Sequence, residues 1–154
     1  MSAEKKLAEL HITLPKPPAA AGAYVPAVKT GKLVYLAGTL PMSEGALTHT
    51  GKIGDGAHDI QYGYDAARQC ALTTLANLRA AIGSLDRVAR IVFVSGFVNG
   101  TDGFSDSPKV INGASELFLA LFGTSIGPHA RAAVSVNGLP LNASVEIQVV
   151  VEIL

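Results

Sequence analysis

Two runs of alternating residues near the end of the chain constrain its fold more tightly than anything upstream. In "HARAAVSVNGLPLNASVEIQVVVEI", residues 129–153, Ala130, Ala132, Val134 and Val136 alternate with Arg131, Ala133, Ser135 and Asn137. After NGLPLNA, Val145, Ile147, Val149, Val151 and Ile153 alternate with Glu146, Gln148, Val150 and Glu152. Successive side chains of a strand leave opposite faces, so each run predicts a strand with one committed apolar face. The two strands read as a hairpin whose less apolar face holds Arg131, Ala133 and Glu146. One allowed register sets Arg131 opposite Glu146, and the next sets it opposite Gln148 with Glu146 a diagonal neighbour at about 7–8 Å. Two readings of the charged pair follow. One is a cross-strand salt bridge, worth about 0–1 kcal/mol if exposed. In the other, the guanidinium grips a ligand carboxylate through paired charge-assisted hydrogen bonds while Glu146 manages a proton or a water.

Upstream, "KLVYLAGTLP" marks one strand over residues 33–36, bounded by Gly31 and Pro41. Residues 43–57 carry four glycines and no periodicity, the signature of a surface loop. Ile60, Tyr64, Ala67, Ala71, Leu75, Leu78 and Ile82 then recur at helical spacing, with Asp59 as N-cap and Gly83 just past the end. "RVARIVFVSGFV", residues 87–98, is too densely apolar for a one-sided strand and reads as a central strand covered on both faces. Ser107 and Pro108 open a second helix, with a stripe of Ile111, Ala114, Phe118 and Leu121 and a stop at Gly123. Residues 1–10 suit a short amphipathic helix, followed by the Pro-rich lead-in PKPPAAAGAY. The boundaries are an extension over 1–21 and a single domain over 22–154. This order predicts an α+β sandwich, two helices on one face of a mixed sheet.

Composition narrows the function. Apolar residues make up 49% and charged residues 16%, against averages of about 45–50% and about 25%; the shortage of charge suggests that other subunits cover part of the surface. Twelve basic and twelve acidic residues cancel, and no basic run exceeds Lys5-Lys6, so nucleic acid is not an expected partner. Cys70 is the single cysteine; it has no internal partner and reads as a small core residue, which suits the reducing cytoplasm. No apolar run reaches the length of about 20 residues that spans a bilayer, and MSAEKKLAEL lacks the core of a signal peptide, so a soluble, unprocessed chain is expected. No His/Cys spacing suits a metal.

The stretch "GPHARAAVSVNGLPLNASVEIQVVVEI" resembles the C-terminal signature of the Rid family of reactive intermediate deaminases, also called YjgF and, in older naming, L-PSP endoribonucleases. "AGAYVPAVKTGKLVYLAGTLP" and "VINGASELFLALFG" are similar to two further family segments in the same order, so the resemblance runs from about residue 22 to 154. It implies a chorismate-mutase-like fold assembled as a homotrimer, its sheets forming a central barrel with ligand clefts between subunits. It implies that Arg131 binds a substrate carboxylate, that Glu146 positions or activates water, and that Tyr24, Gly38, Asn112 and Ala133 line the cleft. The implied reaction is hydrolysis of enamines and imines such as 2-aminoacrylate to 2-keto acids and ammonia, with no metal and no organic cofactor. The chain departs from the family pattern at Ala23, Ala37 and Ala133, which stand where proline, serine and, often, cysteine occur. Those losses point to a divergent branch and leave open a non-catalytic module that binds 2-keto acids or related small carboxylates. RNA cleavage, suggested by the older name, fits poorly with the absent basic patch and with four scattered histidines.

Overall fold

A computed structural model describes residues 2–154. Its longest helix, α2 (Ile60–Ile82), starts where capping chemistry puts it: Asp59 accepts from the Tyr62 backbone N–H, and Gly83 takes a φ of 87° just past the last turn. Its buried side includes Ala67, Cys70, Ala71, Leu75 and Leu78. The third helix, α3 (Ser107–Ile126), has its only non-helical residue at Gly123, with φ 70°, where the sequence signals a stop. The first, α1 (Ala3–Glu9), is capped by Ser2 and buries Ala3 and Leu7. Both residues join the same core as the sheet and the two long helices.

Five strands form one mixed sheet in the order β1 (Ala27–Thr30), β2 (Leu33–Leu36), β7 (Val145–Ile153), β5 (Val88–Asn99), β6 (Ala130–Val136). The single strand expected at 33–36 is therefore the second arm of a hairpin that turns at Gly31, where φ is 57°. Within the glycine-rich loop, β3 (Met42–Ser43) and β4 (Ala46–Leu47) make a small separate hairpin.

One sequence expectation fails and a second is met only on one face within a single chain, and both bear on the site. The first is the C-terminal hairpin. β6 pairs parallel with β5, and β7 pairs antiparallel with the other edge of β5, so the central strand separates them. The physical reason is α3: a helix between two neighbouring strands returns the chain to start the second strand parallel to the first. The following segment then crosses the end of β5, where the Asn99 N–H donates to the Ser144 carbonyl at 2.9 Å and Lys52 Nζ donates to the Asn137 carbonyl at 2.8 Å. Arg131 consequently lies in register with Val94, and Glu146 with Phe97. Val94 is buried under the helices, so Arg131 and Ala133 belong to the helix-covered face and Glu146 to the opposite one. The shared face expected for them does not form.

The second is the covering of β5, which the chain's own helices provide on one face only. Its buried positions run Val88, Ile91, Val94, Gly96, Val98, with register shifts between Val88 and Arg90 and between Ile91 and Phe93. Each irregularity inserts a residue and advances the buried set by three rather than two. The two bulges account for part of the dense apolar pattern, and within one chain the helices cover only one face of β5. In a single chain the second face stays open and carries Val28 (53% exposed), Tyr35 (44%), Phe93 (37%) and Val134 (47%).

Candidate functional site

The chemistry-bearing residues fall into two clusters. The first lies where the edge strand β6 meets α3. Arg131 Nη1 donates to Asn112 Oδ1 at 2.8 Å and to Ser115 Oγ at 3.1 Å, and Nη2 donates to the Pro108 carbonyl at 3.3 Å. Asn112 and Ser115 stand three apart on α3 and so present to one side of it. Ser115 is tied in turn to His129, with 2.9 Å between Oγ and Nε2, and His129 Nδ1 lies 2.7 Å from the Gly127 carbonyl. A carbonyl only accepts, so Nδ1 carries the proton; in the neutral ring Nε2 then accepts from the Ser115 hydroxyl, whose oxygen is left to receive Arg131. The guanidinium is held rigidly by neutral groups and forms no ion pair among the described residues. Its Nε–H and its second Nη2 N–H remain available. Ala133 lies two residues on, partly buried against the core.

The second cluster sits on the open face, beside the central strand β7 and its neighbour β2. Glu146 on β7 lies in a crevice of about 540 Å³ with Tyr24, Tyr35, Gly38 and Gln148. Gly38 leaves room for the carboxylate as placed: a Cβ at that position would meet Glu146 Oε1 at 2.7 Å and the side chain would have to shift. The carboxylate therefore rests against bare backbone. Burial raises the pKa of Glu146 above the ordinary carboxylate value, because removal from water penalises the ionised form. Tyr24 stands at the rim, half exposed.

Within one chain the fold brings Arg131 together with Asn112, and Glu146 together with Tyr24 and Gly38, but keeps the two groups on opposite faces. Sequence reasoning missed Ser115 and His129. A signal existed in retrospect: Ser115 lies one helical turn after Asn112, and His129 shares the strand parity of Arg131. Among the described residues no cluster of three or more His, Cys, Asp or Glu is placed to hold a metal ion, and no helix is long and apolar enough to cross a membrane.

This open-faced α+β sandwich, with an arginine held by neutral groups under one helix and a desolvated glutamate on the bare face, belongs to a class of folds with relatives of known structure. Residues 4–153 match the family described as "YjgF/chorismate mutase-like, putative endoribonuclease". Protein TCP17 of Trypanosoma cruzi is 41% identical over 147 residues, covering 96% of this chain and 91% of that protein. The crystal structure of Atu1372 from Agrobacterium tumefaciens has a TM-score of 0.88 at 41% identity, over 99% of this chain and 92% of that one. RidA from an Antarctic Psychrobacter species has a TM-score of 0.62 at 30% identity, over 90% and 94%. The chain belongs to the Rid/YjgF family, and it superposes more closely on Atu1372 than on RidA.

Proposed function

We propose that the protein is a cytoplasmic homotrimeric deaminase that hydrolyses enamines and imines of the 2-aminoacrylate type to 2-keto acids and ammonia in clefts between subunits. The observation that carries this reading is Arg131: a fixed, partly exposed cation with unused N–H donors and no carboxylate of its own chain beside it. Its geometry suits a small carboxylate taken through two parallel hydrogen bonds. Glu146 of an adjacent copy would face the imine carbon, since one chain cannot present both groups to one ligand. An enamine such as 2-aminoacrylate first becomes the imine by moving a proton from its nitrogen to its methylene carbon. Water adds to the imine carbon as Glu146 accepts one proton and returns it to nitrogen, giving the carbinolamine. Glu146 then takes the hydroxyl proton as the C=O bond forms, and that proton passes to nitrogen as the C–N bond breaks and ammonia leaves. A carboxyl group whose pKa lies closer to neutrality serves both transfers better than an ordinary one.

Glu146 must be ionised to accept that proton, so kcat/KM should rise with pH through its pKa. Desolvation displaces this limb above the ordinary carboxylate range. Glu146→Gln should remove the limb and flatten the acid side of the profile. An unchanged profile in the variant assigns the proton transfer elsewhere.

The open face supports the trimer: Val28, Tyr35, Phe93 and Val134 present apolar surface, which burial would stabilise at about 25 cal/mol per Å². Sedimentation should give the mass of three chains. Phe93→Asp, which places a charge on that face, should shift the protein toward monomer and reduce turnover in parallel. A monomeric wild-type protein that is fully active would exclude a shared cleft.

A second reading, a module that binds 2-keto acids without turnover, is favoured by one feature: Ala37 and Ala133 bring no hydroxyl or thiol to the clefts. It predicts Arg131-dependent binding of pyruvate, measured by calorimetry, with no acceleration of 2-aminoacrylate hydrolysis.

A further inference from the structure

The sequence contains three Asn-Gly dipeptides, at residues 99–100, 112–113 and 137–138. A glycine after asparagine leaves its nitrogen unshielded by a Cβ, so that nitrogen is able to attack the carboxamide carbon of the side chain before it. The fold disarms two of the three. Asn99 is 1% exposed, its carboxamide donates to the Ala143 carbonyl at 3.1 Å, and the Gly100 N–H is taken by the Val136 carbonyl at 3.1 Å. Asn112 and Gly113 lie inside α3, where the helix ladder holds the glycine N–H and Asn112 Oδ1 accepts from Arg131.

The third pair is open. Asn137 and Gly138 are both exposed and lie just past the end of β6. Among the described residues the Gly138 N–H meets no backbone acceptor, and a Cβ on Gly138 would have no atom within 4 Å. The decisive contact is with Lys52, 85 residues upstream, whose Nζ donates to the Asn137 main-chain carbonyl at 2.8 Å. That carbonyl and the Gly138 N–H belong to one peptide group. Loss of the Gly138 proton puts negative charge largely on the carbonyl oxygen, directly against the ammonium, and an adjacent opposite charge favours the ionised form. The other acceptors of Nζ are the neutral Asn99 Oδ1 at 3.1 Å and the Gly100 carbonyl at 3.2 Å. Among the described residues no carboxylate pairs with Lys52, so its charge is available to the peptide.

We propose that Asn137 is a built-in deamidation site at which Lys52 promotes the reaction. The deprotonated Gly138 nitrogen bonds to Asn137 Cγ; the adduct takes up a proton on its amide nitrogen and expels ammonia, which leaves a five-membered succinimide. Water then adds to either ring carbonyl, its hydroxyl staying on carbon and its proton passing to the ring nitrogen as that C–N bond breaks. One product is aspartate, and the other is isoaspartate, whose main chain is longer by a methylene. Either adds a negative charge to the connection whose Pro140 borders the Glu146 crevice. The assignment does not depend on the deaminase reading, because neither Arg131 nor Glu146 takes part in these steps.

The full chain, aged at neutral pH and then mapped by mass spectrometry with enzymatic isoaspartyl methylation as a second readout, should show conversion at Asn137 and not at Asn99 or Asn112. Heavy-oxygen water should label the new carboxyl group. Unfolding in guanidinium chloride separates Lys52 from Asn137, so the Asn137 rate should fall about tenfold, the low end of what one adjacent charge does to an ionisation, while Asn99 and Asn112 speed up. Lys52→Met, which keeps the length and removes the ammonium, should slow the folded protein by the same factor. The denaturant comparison uses the unaltered chain and so tests the proposal even where that variant fails to fold. An intact Asn137 in the aged folded protein, an Asn137 rate that is equal or higher on unfolding, or an unchanged rate in folded Lys52→Met would overturn the proposal.

Discussion

Arg131→Ala should lower kcat/KM for 2-aminoacrylate hydrolysis at least about 100-fold, equivalent to about 2.7 kcal/mol, when keto-acid release is followed in a coupled assay. The estimate rests on the loss of two charge-assisted hydrogen bonds to a desolvated carboxylate, for which truncating one partner costs about 2–5 kcal/mol. Arg131→Lys should recover little of it. An ammonium has no planar fork, and it cannot hold Asn112, Ser115 and the Pro108 carbonyl while still presenting two parallel donors. Arg131 also ties β6 to α3, so each variant should be compared at equal Tm margin. Equal turnover by wild type and a folded Arg131→Ala protein would remove the carboxylate-anchoring role outright.

The largest effect on stability is expected at Gly113. A Cβ there would lie 2.9 Å from the Tyr64 carbonyl carbon and 3.2 Å from the Arg68 nitrogen, both backbone atoms of α2. Backbone in a packed helix cannot rotate aside as a side chain does, so α2 and α3 would have to separate. Overpacking of this kind costs about 1–3 kcal/mol or more, against the roughly 1 kcal/mol that alanine gains over glycine within a helix. The steric term wins. Gly113→Ala should lower stability by about 2 kcal/mol and Tm by about 4–8 °C, measurable by thermal denaturation. Because α3 carries Asn112 and Ser115, the same displacement should loosen Arg131 and weaken ligand binding. An unchanged Tm would mean that the two helices do not meet at this point.

Local features of the chain were readable because local chemistry sets them. α2 follows from its apolar spacing and from the Asp59 cap, and the stop in α3 follows from Gly123. What escaped was pairing between distant segments. Alternation in residues 130–136 and 145–153 identifies two strands but is silent about partners, and the shortest connection suggested a hairpin. The β5–α3–β6 unit overrides that choice. With β5 inserted, the arginine and the glutamate exchange a common face for opposite ones, a result that no single-strand periodicity contains. The bulges in β5 escaped for a related reason, since an added residue mimics a second apolar face in the sequence. Arg131 and Glu146 stood out on the alternating strands, where a salt bridge and a ligand site were both open readings, whereas Tyr24, Gly38, Asn112 and Ala133 came from family likeness rather than from spacing. Ser115 and His129, which brace the guanidinium, required knowing that α3 lies over β6.

The segregation of Arg131 and Glu146 to opposite sides of the sheet has a consequence for control. On the proposed mechanism each protomer owns half of two reaction chambers and the whole of none. Dilution would then silence the molecule while every helix and strand stayed intact, and a newly made copy would be harmless until it met its siblings.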